Sequence, residues 1–157
     1  MPPAILVVVL LAVVAGAGLF FWIRRAKSCG RTIDTPAGDD PAALFYGGVM
    51  CRHLITSGSL ARLEFYDWGV RLRGSIVSRW LVPTWEARYD ELAIAELVAL
   101  RWSRVGIWMR LRGTQDGIAF LANGSADVLR QLEQHDVLVN RSVAQIKRVD
   151  ELYRPPG

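Results

Sequence analysis

Apolar and polar residues follow three successive patterns along the chain, and each pattern predicts one kind of element. An unbroken apolar run at residues 4–23 is long enough to cross a bilayer core of about 30 Å as a helix. Apolar and polar residues then alternate from Leu60 to Phe120, as in strands with one buried face. Helical spacing returns near Ser125. The order predicts a transmembrane helix followed by a β domain that closes on a second helix.

The alternating region predicts two hairpins with two further strands between them. Turn residues at 67–69 join the strands of the first hairpin, and those at 113–117 join the strands of the second. A third and a fourth strand are predicted within residues 85–100. Apolar residues of one parity in each hairpin should line one core, covered by Leu129 and Leu132 of the last helix; they are Leu63, Phe65, Val70, Leu72, Ile107, Met109, Leu111 and Phe120.

The end of the chain predicts helices. Ser125 can cap a helix that runs to about His135, because apolar residues there follow helical spacing. A short peripheral helix is predicted in the charged tail from the spacing of Val143, Ile146, Val149 and Leu152. Short antiparallel strands followed by an amphipathic helix predict the α+β class, as a small β-sandwich or open barrel closed by a C-terminal helix.

Four segments follow from these patterns. Residues 4–23 are the transmembrane helix, 24–41 a basic juxtamembrane segment and linker, 42–140 the β domain with its helix, and 141–157 a C-terminal tail. The Gly, Pro and Asp content of residues 28–41 predicts a linker without packed structure. Asp39 and Asp40, directly before Pro41, are interpreted as the start of a helix.

Charge decides the expected direction of the membrane helix. The formal net charge is +4, and the first 23 residues carry no charged side chain. Four basic residues follow at once: Arg24, Arg25, Lys27 and Arg31. Because Lys and Arg near a span are retained on the cytoplasmic side, we expect a single-pass plasma-membrane protein with its N-terminus outside and its C-terminal domain in the cytoplasm. Trp22 should join Arg24, Arg25 and Lys27 as membrane-interface anchors; the competing interpretation is a signal peptide cleaved near Ala15 to Ala17.

Two cysteines give no disulfide framework. Cys29 follows the apolar run and Cys51 lies in the domain, so reduced thiols are expected in a cytoplasmic protein. Palmitoylation of Cys29 is an alternative suggested by its juxtamembrane place. Cys51 and His53 form only an isolated C-x-H, and His135 is far from them in sequence, so neither histidine belongs to a metal-binding pattern.

Catalytic signatures are missing from the sequence. It contains no phosphate-binding loop, no dinucleotide fingerprint and no G-x-S-x-G motif, so we expect neither an enzyme nor a bound cofactor. The basic residues are dispersed along the chain, which does not favour nucleic-acid binding. The expected partners are the membrane, a protein, and as an alternative an anionic lipid.

Three stretches of the domain carry a family resemblance: LARLEFYDWGVRLRG at 60–74, PTWEARYDELAIAELV at 83–98, and IWMRLRG followed by GIAFLANGSADVLRQLEQHDVLV within 107–139. They resemble the bacterial pleckstrin-homology-like (PH-like) domains of small single-pass actinobacterial membrane proteins. The resemblance implies a scaffold that binds lipids, peptides or other subunits. Fold alone does not choose among these ligands.

Two sets of residues are candidate binding sites. Strand alternation places four arginines on outward faces, where they would bind an anionic lipid or a partner, or would simply be a solvated strand face that discourages aggregation: Arg71, Arg73, Arg110 and Arg112. A second, apolar stretch would dip into lipid headgroups or dock a partner, or would pack in the core: Trp80, Leu81, Val82 and Trp85. We expect a membrane-anchored scaffold that binds a protein, with a peripheral reader of anionic headgroups as the alternative.

Overall fold

An apolar helix and a large sheet make up the protein. The computed structural model describes residues 3–36, 40–100 and 105–155. Helix α1 spans Pro3–Lys27, and among the described residues it is the one helix long and apolar enough to cross a membrane. It extends one turn beyond the apolar run, so the predicted interface anchors Arg24, Arg25 and Lys27 lie on its last turn.

The rest of the described chain forms one mostly antiparallel open sheet with a second helix. The elements are β1 Ala43–Cys51, β2 Leu54–Ile55, β3 Ala61–Tyr66, β4 Gly69–Gly74, β5 Trp85–Arg88, β6 Leu92–Leu100, β7 Val105–Leu111, β8 Gly117–Ala122, α2 Ser125–Gln134 and β9 Val139–Ile146. In sheet order the strands are β5, β4, β3, β1, β8, β7, β6 and β9, and the short β2 pairs with β1. Only β9 is parallel to its neighbour, β6. The α+β class is therefore confirmed.

The predicted core is confirmed. Every core residue named from strand parity is buried, and all of them belong to one apolar cluster that includes Leu129 and Leu132. Helix α2 covers this cluster with one apolar face, as its helical spacing predicted. Gly124, and not Ser125, is the N-cap of α2, and Ser125 is the first helical residue.

The prediction that a helix starts at Asp39 and Asp40 is wrong, because strand β1 occupies the part of the chain after Pro41. This strand lies at the centre of the sheet, hydrogen-bonded to β3 and β8. Gly47 and Gly48 allow that position, since a Cβ at either residue would clash with the carbonyl oxygen of Leu121 or Thr56 respectively. Asp40 is exposed ahead of the strand, and Asp39 lies outside the described residues.

The prediction of a peripheral helix in the tail is also wrong for its first half, which contains Val143 and Ile146. Strand β9 includes Val143 and Ile146 and pairs with β6, and a 3₁₀ turn at Val149–Tyr153 follows it. The strand conformation prevails over the helical spacing because the β9 backbone pairs with β6 and Ile146 becomes buried. Ile146 belongs to a second buried cluster with Trp108. The Tyr153 ring packs edge-on against the Trp108 ring, with the two ring centroids 5.1 Å apart.

The expected linker packs against the domain. Its first part, residues 28–36, is called the strap below. The Arg31 N–H donates to the Thr84 carbonyl at 3.0 Å, and the Glu86 N–H donates to the Arg31 carbonyl at 2.8 Å. These bonds align the strap with the start of β5 as a parallel bridge. The linker prediction is wrong here because the partners of the strap are backbone groups more than fifty residues away in sequence.

A disulfide also fixes the start of the strap. Cys29 and Cys51 are bonded, with their Cα atoms 6.3 Å apart. The expectation of reduced thiols is therefore wrong in this structure. The sequence does not predict this disulfide, because the position of Cys51 depends on the pairing of β1 in the sheet and that of Cys29 on the contact of the strap with β5.

Candidate interaction surfaces

The four candidate arginines do not share one face. Arg71 and Arg73 lie on β4, Arg110 lies on β7, and Arg112 follows β7. Strands β3, β1 and β8 separate β4 from β7 in the sheet. The structure therefore keeps the two arginine pairs apart.

Arg71 is held by a network on the outer face of β4 and β5. Its Nε donates to Glu86 Oε1 at 2.6 Å, and its Nη2 donates to Thr35 Oγ1 in the strap at 3.1 Å. The guanidinium also lies over the Tyr66 ring, 5.1 Å from its centroid. Burial opposes the charged form, yet the bond to Glu86 and its charge raise the pKa of Arg71 above its ordinary value. Arg71 therefore stabilises the domain and is not a free cation.

Arg73 is paired in the same way with Glu64, which is only 1% exposed. The Glu64 Oε1 atom lies 2.8 Å from Arg73 Nη2 and 2.9 Å from Arg62 Nε. The Tyr66 hydroxyl donates to Glu64 Oε2 at 2.8 Å, and burial together with this bond raises the pKa of Tyr66. On the outward side of β3 and β4, the buried Glu64 carboxylate is thus shared by two partly exposed arginines, Arg62 and Arg73.

The second arginine pair differs from the first. Arg112 is exposed and donates to the Asp90 carbonyl at 3.2 Å, while its backbone N–H donates to the Glu91 carbonyl at 2.7 Å. Arg110 is half-buried on β7. Arg112 therefore lies beside a 3₁₀ turn at Tyr89–Glu91, and Arg110 lies near the β7–β8 turn, opposite Gly117.

The candidate apolar loop is divided between the core and the surface. Val82 and Trp85 are buried and Leu81 is half-buried, whereas Trp80 is 51% exposed. Two neighbours that sequence reasoning missed are more exposed, Ile76 at 83% and Val77 at 79%. These three exposed residues, Ile76, Val77 and Trp80, are called the apolar tip below. The missed signal was an apolar pair inside a turn segment, between Gly74–Ser75 and Ser78.

Consecutive turns support the apolar tip. The Ser78 N–H donates to the Ser75 carbonyl at 3.0 Å, and the Leu81 N–H donates to the Ser78 carbonyl at 2.9 Å. Trp80 Nε1 donates to the Val77 carbonyl at 2.9 Å, which satisfies the polar atom of the indole. Ser78 Oγ bonds to the Leu60 carbonyl. The tip is therefore an ordered projection of the domain.

The end of α1 contacts the domain directly. Ala26 is completely buried and belongs to the same cluster as Val82 and Trp85. Trp22, Arg24, Arg25 and Lys27 are exposed around it. The predicted anchors thus surround the point at which the helix enters the domain.

A cavity of about 770 Å³ opens between the strap, the 3₁₀ turn at Tyr89–Glu91, and the turns that follow β1 and β7. Arg52, His53 and Arg112 line it together with Asp90 and Asp116. Burial and the charges of Arg25 and Arg52 lower the pKa of His53. Because both signs of charge line the cavity, it does not form a dedicated anion site.

Tyr153 closes one side of this cavity. Its hydroxyl donates to the Gly117 carbonyl at 3.2 Å and accepts the Arg52 N–H at 3.1 Å. Burial raises the pKa of Tyr153 to about 12, so the hydroxyl keeps its proton. Its fixed position ties the 3₁₀ turn at the end of the described chain to the β1–β2 turn.

The two histidines have separate surroundings. His53 lines the cavity, whereas the His135 ring stacks on Tyr89 at a centroid distance of 4.0 Å. Within the described ranges, no group of three or more His, Cys, Asp or Glu side chains has the arrangement of a metal site.

Comparisons with protein-family models and with curated proteins give no match to this chain. The resemblance to PH-like domains is therefore a proposal, and the function is inferred below from geometry.

Proposed function

We propose that the chain is a membrane-anchored, non-enzymatic interaction module with a PH-like domain on the cytoplasmic face of the plasma membrane, where it binds a protein partner. Support for the anchor comes from α1, in which the most apolar stretch of 18 residues has a mean hydropathy of 2.8 and is not buried against the domain. A helix of this length and composition is stable when lipid surrounds it.

The order of the elements supports the PH-like part of the proposal. Seven strands from β5 to β6 form a continuous antiparallel path, and α2 packs on their common core. A helix packed on a mostly antiparallel sheet agrees with the α+β arrangement expected from the strand pattern. The strap and β9 are additions at the two ends of that path.

The observation that carries protein binding is the outer edge of β9. This strand ends the sheet and pairs with β6 on one side, whereas the strap adjoins β5 at the opposite edge. Six consecutive residues of β9 are exposed, including Val143 at 45%. An edge strand offers backbone donors and acceptors to another chain, so we infer that the partner adds an extended segment beside β9.

The arginine face supports a lipid-reading function less well. Arg71 and Arg73 already have carboxylate partners, and a headgroup would have to displace Glu86 or Glu64 from them. Protein binding at β9 requires no such exchange.

The basic end of α1 supports the cytoplasmic placement, because Arg24, Arg25 and Lys27 follow the span directly. Disulfides of cytosolic proteins are usually transient. On this side of the membrane the Cys29–Cys51 bond is therefore a reversible link between α1 and the domain.

A lysine on the β9 edge tests the proposal. Val143→Lys puts on this edge the kind of charge that natural proteins use against strand addition. Leu44→Lys is the matched control, since Leu44 is 40% exposed but lies on the central strand β1. Full-length chains are purified from membranes in detergent and the associated proteins are quantified. We expect the partner to be lost from Val143→Lys and retained by Leu44→Lys; equal retention would contradict binding at β9.

A further inference from the structure

The strap shows which end of the domain faces the membrane. It leaves α1 at Lys27 and runs parallel to β5 from the Arg31–Trp85 bridge. The side-chain bond of Arg71 to Thr35 continues this alignment away from α1. Residues directly before Trp85 therefore lie at the end of the domain where α1 enters. The loop at 75–84, which joins β4 to β5, is at this membrane-proximal end.

Packing confirms that this loop lies beside the last turn of α1. Lys27 and Gly30 line one small cavity together with Arg79, Val82 and Pro83, with a volume of about 300 Å³. Ala26 and Val82 are buried in the same apolar cluster. The apolar tip thus projects from a loop whose base is fixed against the end of α1. With α1 as the proposed anchor, this is the level where hydrocarbon gives way to headgroups.

The composition of the loop suits that level of a bilayer. The apolar tip exposes two aliphatic side chains and one indole, and Trp is enriched where an apolar ring meets headgroups. The loop at 75–84 contains Arg79 but no Asp or Glu. Arg79 and Lys27 are both exposed beside the tip, where their charges attract an anionic leaflet.

We propose that Ile76, Val77 and Trp80 insert into the headgroup layer of the same anionic leaflet from which α1 emerges, with Arg79 and Lys27 contacting the lipid phosphates. The tip is a second membrane contact beside the helix, separate from the β9 edge. Insertion of the tip rests on the membrane anchoring proposed above, and its contact with an anionic leaflet rests also on the proposed cytoplasmic placement.

Spin labels at three positions test the insertion. The full-length chain, with its native disulfide intact, is labelled at Val77→Cys in the tip, at Asp67→Cys in the β3–β4 turn, or at Val9→Cys within α1. Asp67 is the matched control because it is exposed at the opposite end of β4. Each variant is placed in bilayers of phosphatidylcholine with phosphatidylglycerol. Accessibility of the label to oxygen and to a water-soluble nickel chelate is then measured.

We expect the Val77 label to lose access to the nickel chelate and gain access to oxygen relative to the Asp67 label. Equal chelate access at the two positions, with the Val9 label immersed, would overturn the insertion and leave the anchor intact. A Val9 label open to the chelate would overturn the anchor itself. All three positions are exposed, so the labels do not disturb the core.

The charge of the lipid tests the second part of the proposal. Immersion of the Val77 label should be greater with phosphatidylglycerol than in phosphatidylcholine alone. The double substitution Lys27→Gln and Arg79→Gln should abolish that difference. If the Val77 label is immersed equally in the two lipid mixtures while Lys27 and Arg79 are retained, the proposed contact with anionic headgroups is wrong.

Discussion

At the scale of single residues, strand parity predicted which side chains face the core but not what surrounds the others. Leu63 and Phe65 are completely buried as predicted. Glu64, between them, points to the other side and is nevertheless buried, because Arg62, Arg73 and Tyr66 cover it. Period-two alternation separates the two faces of a strand, and it does not reveal a cover formed by polar side chains from neighbouring strands.

The buried carboxylate leads to the first prediction. Glu64→Ala should lower the free energy of unfolding by about 2 kcal/mol, because the change removes charge-assisted hydrogen bonds and leaves buried donors unpaired. Chemical unfolding of the full-length chain in detergent, followed by tryptophan fluorescence, measures the effect.

The control uses an ion pair in water. Glu133 bonds to Arg141 at 2.6 Å, but both side chains are largely exposed. Glu133→Ala should therefore cost less than about 0.5 kcal/mol. Similar losses for the two substitutions would show that the surroundings of Glu64 do not strengthen its contacts.

At the scale of elements, the sequence predicted those whose pattern is local. Strands β3, β4, β7 and β8 show alternation, and α2 shows helical spacing, so each was found. Strand β1 was missed because Gly47 and Gly48 interrupt its alternation. Strand β9 was missed because its apolar residues also fit a helical period, and pairing with β6 decided the outcome. The strap was missed because its shape depends on distant backbone partners.

The strap leads to a prediction about local opening. Glu86 Oε2 accepts the Ile33 N–H at 3.0 Å, and Glu86 Oε1 accepts from Arg71. Glu86→Ala removes both acceptors, so the strap should open more often. Hydrogen exchange read by mass spectrometry should become at least several-fold faster across residues 31–36.

Exchange in α2 is the internal reference for this experiment. It should remain unchanged in Glu86→Ala, because the substitution is remote from the face that α2 buries. Glu133→Ala should leave exchange in the strap at its original rate. Unchanged exchange in the strap of Glu86→Ala would mean that the disulfide and the Arg31 bonds hold the strap without Glu86.

At the scale of the whole molecule, the sequence predicted the order of helix, sheet and helix but not how the membrane helix is attached. Ala26 packs in the core, Cys29 is bonded to Cys51, and Arg31 bridges to Trp85. Each attachment joins positions distant in sequence, and none has a local signal. The same fact limited site prediction. Trp80 was named only within a candidate apolar stretch whose alternative was core packing, and the exposure of its neighbours Ile76 and Val77 depends on the turn that holds them.

The side of the membrane is a prediction at this scale. The domain should be cytoplasmic, because basic residues directly follow the apolar part of α1. Asp67→Cys, in a Cys29→Ser and Cys51→Ser background, is treated with a membrane-impermeant maleimide. We expect protection in intact cells and labelling after lysis. Labelling in intact cells would place the domain outside, where a permanent Cys29–Cys51 disulfide is expected.

The three attachments between α1 and the domain have a consequence for rotation about the helix axis. A helix joined through a flexible segment turns independently of the domain that follows it, whereas α1 and the sheet must turn together. Successive residues of an α-helix are offset by about 100° around the axis. A neighbouring transmembrane helix could pack against Gly16 or against Ala17. The orientation of the domain about the axis of α1 would differ by about 100° between these two packings. Contacts within the bilayer would thus decide the direction in which the β9 edge faces.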